Sequence, residues 1–117
     1  MKKANIGIKP ENIKKVAEIL EKTLADDNVL YVKIKSFHWN VVDKNFRDYH
    51  KFFDDLAEDV SEKIDEVAER IRSLGEFVHS NMSTYLKNSQ LKENMSVEKH
   101  VPEMLSELLE DYELQIR

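Results

Sequence analysis

FHWNVVDKNFRDYHKFFDDLAEDVSEKIDEVAERIRSLG, residues 37–75, decides how this chain folds. Its apolar side chains Phe53, Ala57, Val60, Ile64, Val67 and Ile71 recur alternately four and three apart, the period of an amphipathic α-helix. Beside that stripe lie His50, Asp54, Asp65 and Glu69, at intervals of four, eleven and four. An interval of four makes each pair neighbours on the helix surface. At about 100° per residue, all four project within roughly a third of a turn of one another. They border the apolar face, where ligands facing a buried seam would sit.

The two pairs cannot meet on one chain, because their midpoints lie about fifteen residues, or roughly 22 Å, apart along a helix axis. They are, however, mirror-placed about a point between Asp59 and Val60. Two copies packed antiparallel about a two-fold axis there set His50 opposite Glu69 and Asp54 opposite Asp65. Each dimer would then hold two identical sites, each with one imidazole and three carboxylates drawn from two chains. Such a mixed N/O set suits Fe, Mn or Zn better than copper(I) or calcium. His38, twelve residues before His50, offers a second imidazole from across a turn. The plainer alternative is a solvated helix face, since an acid four residues from a histidine or another acid is common in a charged chain. His38 by itself is ordinarily a hydrogen-bonded histidine.

The wider composition agrees with a helical domain. The 117 residues are 35% charged and 41% hydrophobic, with two glycines and two prolines, which fits one compact domain of long uninterrupted helices. No cysteine is present, so neither a disulfide framework nor a thiolate metal site exists. Met1, Lys2 and Lys3 resemble the start of a signal peptide, but no apolar core follows them. No apolar run approaches the roughly eighteen residues of a membrane span. A cytoplasmic protein is expected. The net charge of −5 argues against a generally nucleic-acid-binding surface, while leaving room for a local basic arm.

Taken in order, residues 1–9 are expected to form a flexible N-terminal arm carrying Lys2, Lys3 and Lys9. Pro10 suits a helical first turn and Glu11 complements the dipole there. The stripe Ile13, Val16, Ala17, Leu20, Leu24, Tyr31, Ile34 and Phe37, interrupted at Asp27, predicts a first helix to about Asn40. The polar turn Asp43, Lys44, Asn45 leads into the second helix, from about Phe46 to Leu74 with Gly75 as C-terminal cap. Residues 76–93 read as a crossover with one short helix around 83–87. Ser96 is a candidate N-cap for the last helix, with Pro102 in its first turn and Met104, Leu105, Leu108, Leu109, Tyr112 and Ile116 on its apolar face. The pattern is still running at Arg117. Three amphipathic helices stand where a closed bundle has four. The expectation is therefore one domain over residues 1–117, incomplete at its C-terminus.

Other constellations are weaker. Glu76 and His79 have the Glu-x-x-His spacing of di-iron carboxylate bundles, but follow Gly75 in the least periodic segment and occur once. Trp39 reads as a large apolar anchor at a helix end. Asp55, Glu58, Asp59, Glu62 and Glu66 read as a hydrated face. Met82, Met95 and Met104 share no pattern beyond packing.

The segment from Leu30 to Gly75 resembles the signature of the Dps family, the dodecameric mini-ferritins. The HWN triplet at His38, Trp39 and Asn40, the H-x3-D at His50 and Asp54, and the D-E-x-A-E-R run from Asp65 to Arg70 match in type and spacing. The resemblance implies an all-α, ferritin-like four-helix bundle, with three core helices in this chain and the fourth missing. It implies that His38, His50 and Asp54 of one subunit join Asp65 and Glu69 of its two-fold mate in a ferroxidase centre beside Trp39. By the same resemblance, iron is oxidised from Fe2+ to Fe3+, preferably by hydrogen peroxide, and stored in a dodecameric homo-oligomer; zinc or another divalent metal can substitute at the site. Subunits of that family are longer, and their glycine- and proline-rich stretch after the second helix is replaced here by EFVHSNMSTYLKNSQLKE. The alternative of a different class is a DNA-binding nucleoid or shell protein with little ferroxidase activity; the blandest is an inert helical fragment.

Overall fold

The computed structural model describes Gly7 and residues 9–116, as four helices with no strand among the described residues. The arm expected over residues 1–9 thus lies outside the described residues, but for Gly7 and Lys9. Helix α1 spans Pro10–Asn40, α2 Phe46–Ser73, α3 Met82–Asn88 and α4 Val101–Ile116. The first two follow the periodicity closely. Pro10 has no amide hydrogen to leave unpaired in the first turn of α1, and the Lys9 carbonyl accepts from the amides of Asn12 and Ile13 at 2.9 and 3.0 Å. At the end of α2, Gly75 takes φ +87°. Its amide donates to the Arg72 carbonyl and that of Glu76 to Ile71, at 2.9 and 3.3 Å, the paired bonds of a Schellman cap.

The short helix is found where expected and is one residue longer at each end than 83–87. Asn81 caps it, its side-chain oxygen accepting from the Thr84 amide at 2.9 Å. Ser96, in contrast, caps nothing: α4 starts five residues later, and the serine hydroxyl donates to the Glu98 carbonyl at 3.3 Å. A local side-chain bond to the backbone holds residues 96–98 out of the helix.

Helix α1 is the hub, with its backbone close to those of α2, α3 and α4, whereas α2 and α4 meet only through side chains in the shared core. The main core joins Leu30, Ile34 and Phe37 of α1, Phe53, Ala57 and Val60 of α2, and Met104 and Leu108 of α4. Phe37 and Phe53 meet at 5.8 Å between ring centres. Burying a Leu, Ile or Phe side chain stabilises by roughly 1.5–3 kcal/mol. Ile13, Ala17 and Leu74 form a smaller cluster at the other end of the α1–α2 pair. On α4, Leu105, Leu109, Leu114 and Ile116 remain exposed.

Charge also fastens α4 to α1. Lys33 is buried, its ammonium 2.7 Å from Asp111 and 3.3 Å from Glu107, which is itself paired with Lys99. Burial pushes the Asp111 carboxyl above its usual range, against the opposing hydrogen bond and charge of Lys33. Removing the cation would leave an uncompensated buried carboxyl. Lys33→Met should therefore lower the free energy of urea unfolding by on the order of 3 kcal/mol. Lys51→Met, which breaks an exposed pair with Asp55, should leave it unchanged. Equal effects of the two substitutions would show that the buried pair does not hold α4.

A candidate metal centre where α1 turns into α2

A five-residue turn folds α2 back along α1, tightened by the Asp43 carboxylate accepting from the Asn45 amide at 2.8 Å. The last turns of α1 then lie beside the first turns of α2, and His38 faces His50. Their rings stack at 3.8 Å between centres and 20° between planes. Phe46 covers the other face of His50, at 4.9 Å.

Each ring is fixed by the other residue's backbone. His38 Nδ1 lies 2.6 Å from the His50 carbonyl oxygen, and His50 Nδ1 lies 2.8 Å from that of His38. A carbonyl oxygen only accepts, so both Nδ1 atoms carry the proton and donate. In the neutral rings this leaves both Nε2 lone pairs for a ligand. The arrangement is the one that orients metal-binding imidazoles, with the distal nitrogen free and the proximal one tied down.

Asp54, one turn beyond His50, adds oxygen. Its Oδ1 is 3.9 Å from His38 Nε2 and 3.5 Å from the Lys35 ammonium. Two donors on one ion at about 2.1 Å stand roughly 3.0–3.4 Å apart, so a shift of about half an ångström brings this pair into range. His38 is buried and Asp54 partly exposed, so the group opens to solvent on its carboxylate side.

Asp65 and Glu69 stand apart from these three residues. Both are exposed further along α2, with Ile64 and Val67 turned partly inward beside them. Among the described residues of the single chain, no group of three or more histidine, cysteine or acidic side chains is close enough to hold a metal ion. The single chain stacks His38 on His50 and sets Asp54 3.9 Å from His38 Nε2, short of a three-residue metal-holding group, and leaves Asp65 and Glu69 exposed on the surface.

Three other sequence expectations meet the structure here. Trp39 anchors nothing within the chain: it is 67% exposed, about 100° around the helix from His38, with the Lys35 ammonium 5.4 Å from its ring. Glu76 and His79 lie on coil between α2 and α3, where their spacing carries no helical meaning; the His79 amide donates to the Glu21 carboxylate at 3.3 Å. Asp55, Glu58, Asp59, Glu62 and Glu66 are all exposed, as a hydrated face requires. Lys35 and Phe46 were not singled out from sequence. The signal for Lys35 was its place one turn before His38 on the same helix face.

The family model for the ferritin-like domain matches residues 17–117, and the chain belongs to that family. Within it, the chain belongs with the Dps proteins. It is 36% identical over 98 residues to the DNA protection during starvation protein of Helicobacter pylori, an alignment covering 84% of this chain and 68% of that one. A low temperature-induced protein of Nostoc is 36% identical over 117 residues, and the chain spans 65% of its length. The crystal structure of a Dps protein from Vibrio cholerae O1, described as a member of a broad superfamily of ferritin-like diiron-carboxylate proteins, superposes with a TM-score of 0.90 at 29% identity. That match covers 98% of this chain and 72% of that one.

The tautomers are directly measurable. Nitrogen-15 spectra of the imidazoles should show His38 and His50 protonated at Nδ1 and bare at Nε2 in the neutral rings. Protonation at Nε2 in either ring would block the nitrogen that the site needs.

Proposed function

We propose that this chain is a mini-ferritin subunit that oxidises Fe(II) and sequesters the ferric product. The observation that carries this is the pair of imidazoles locked through Nδ1, with the Nε2 of His38 3.9 Å from the Asp54 carboxylate. The whole chain, residues 1–117, is taken as one ferritin-like domain. The Dps relatives, and the diiron-carboxylate description of one of them, support the same chemistry. Iron is the substrate and cargo. Imidazole nitrogen and carboxylate oxygen suit Fe(II), and zinc or another divalent ion fits the same donors.

The centre is shared. Asp65 and Glu69 are exposed and mirror Asp54 and His50 about the middle of α2, so a second copy antiparallel to the first supplies them. His38, His50 and Asp54 of one subunit then face Asp65 and Glu69 of the other, in a homo-oligomer built of two-fold dimers and closing as a dodecameric shell. Lys35 holds the Asp54 carboxylate until an incoming cation displaces it. Hydrogen peroxide is the oxidant: two ferrous ions each give one electron, the O–O bond breaks, and two protons complete two waters. No one-electron cleavage to hydroxyl radical occurs. Such an activity belongs in the cytoplasm, where it removes both iron and peroxide. DNA binding is the weaker alternative, since the net charge is −5.

Two measurements test this. Iron oxidation should consume about two Fe(II) per peroxide and outpace oxidation in air; a rate equal to that of protein-free buffer would remove the enzymatic claim. The shared site is tested by complementation between a His50→Ala, Asp54→Ala variant and an Asp65→Ala, Glu69→Ala variant. Each alone should be nearly inactive. After joint unfolding and reassembly, about half of the dimers are mixed, each with one intact site, so roughly a quarter of wild-type activity should return. No recovery despite demonstrated mixing would sink the intersubunit centre.

A further inference from the structure

Asp27, the charge that interrupts the apolar stripe of α1, is fully buried at 0% exposure. One of its oxygens, Oδ1, accepts a 2.8 Å hydrogen bond from the side-chain amide of Gln115, in the last turn of α4. Its other oxygen, Oδ2, is buried without a donor, and so is Oε1 of the same Gln115. Two groups already joined by one hydrogen bond therefore each keep an unsatisfied acceptor. Buried acceptors left unpaired are rare and destabilising. Two acceptors cannot satisfy each other, but a single proton between them can. A carboxylic acid and a primary amide pair in this way, with N–H donating to one oxygen and O–H donating back to the amide oxygen.

The surroundings favour the proton. Asp26, next along α1, is 3% exposed and accepts from the Ser89 hydroxyl, the Gln90 amide and the Gln90 side chain at 2.7, 2.8 and 3.3 Å. Asp26 is thus well supplied with donors, and its negative charge opposes a second one beside it. Lys63 of α2 is the cation acting on Asp27 and pulls the other way. From α4, Tyr112 faces Asp27, while Asp111 is committed to Lys33. Asp59 of α2 acts on Tyr112. Burial, the largest influence, pushes the Asp27 carboxyl above its ordinary value of 3.8, against the Gln115 bond and the Lys63 charge. An open cleft of about 430 Å³ lined by Lys22, Asp26, Lys63, Gln90, Tyr112 and Gln115 borders the Gln115 side of the pair.

We propose that Asp27 is held as a neutral carboxylic acid in a doubly hydrogen-bonded pair with Gln115, a latch that fastens the last turn of α4 to α1 and opens on ionisation. The direction in pH follows. A carboxyl whose folded value is raised contributes stability that is fully present below its ordinary value of 3.8. That contribution is lost as pH rises through the folded value. The end of α4 is therefore tightest in acid and loosens towards alkaline pH.

Asp27→Asn tests the latch, because an amide at this position makes both bonds at any pH. The D27N variant should match the wild type in thermal stability at about pH 4 and exceed it at about pH 8. Amide exchange in the last turn of α4, corrected for intrinsic rates, should speed about tenfold for each unit above the folded value in the wild type and stay flat in D27N. A D27N protein less stable than wild type at about pH 8 would overturn the proposal, since Asp27 would then be an anion satisfied by Lys63 or by a bound cation. Should D27N fail to fold, the carbon-13 shift of the wild-type Asp27 carboxyl decides alone. A neutral acid at about pH 5 supports the latch and a carboxylate refutes it.

Discussion

A polar side chain buried on a helix that others cover needs a partner. That constraint organises this molecule, because α1 is the helix against which all others pack. Its buried polar residues are Asp26, Asp27, Lys33 and His38, and each recruits a different piece of chain. Asp26 holds the crossover at Ser89 and Gln90, Asp27 takes Gln115, Lys33 takes Asp111 and Glu107, and His38 takes the backbone of His50. The apolar core supplies most of the stability, but it is non-directional. The polar partners fix which part of each element meets α1, because a slip of one turn would strand a buried charge or donor.

The candidate centre comes from the same logic. His38 is buried because α2 folds back over the end of α1, and its Nδ1 must then find an acceptor. The acceptor is a carbonyl of a residue whose own ring makes the same bond in return. The locking of the two imidazoles is thus a by-product of satisfying buried hydrogen bonds. The carboxylates obey a different rule. Asp65 and Glu69 stay at the surface and Asp54 partly so, where their charge is solvated.

The sequence made the long helices legible because proline, glycine and a sustained apolar period act locally and agree with one another. Pro10 starts α1, and Gly75 closes α2 with the positive φ that a Schellman cap needs. What failed were inferences from single side chains. Ser96 had the right type for a cap, but its hydroxyl bonds to Glu98 instead. Trp39 had the size of an anchor, but its angle on the helix turns it outward. Asp27 read as a break in the stripe, although it lies on the buried face with a tertiary partner 88 residues away in sequence. Of the candidate site, the neighbouring of His50 and Asp54 on one helix face could be read from spacing, and His38 as an imidazole from across the turn. The bonds that aim the imidazoles could not, since their acceptors are backbone oxygens, which every residue carries.

The reciprocal histidine bonds also divide labour among the donors. An imidazole whose Nδ1 is tied to the neighbouring helix cannot turn away without breaking that bond, and Phe46 further restricts His50. Asp54 has no such tether: its side chain is 42% exposed, with the Lys35 ammonium at 3.5 Å and His38 Nε2 at 3.9 Å. The nitrogen side of the centre is therefore a fixed wall and the oxygen side a door. At this end of the bundle the Asp54 carboxylate is thus the side chain with room to move, while the two imidazoles stay in register with the backbone of the facing helix.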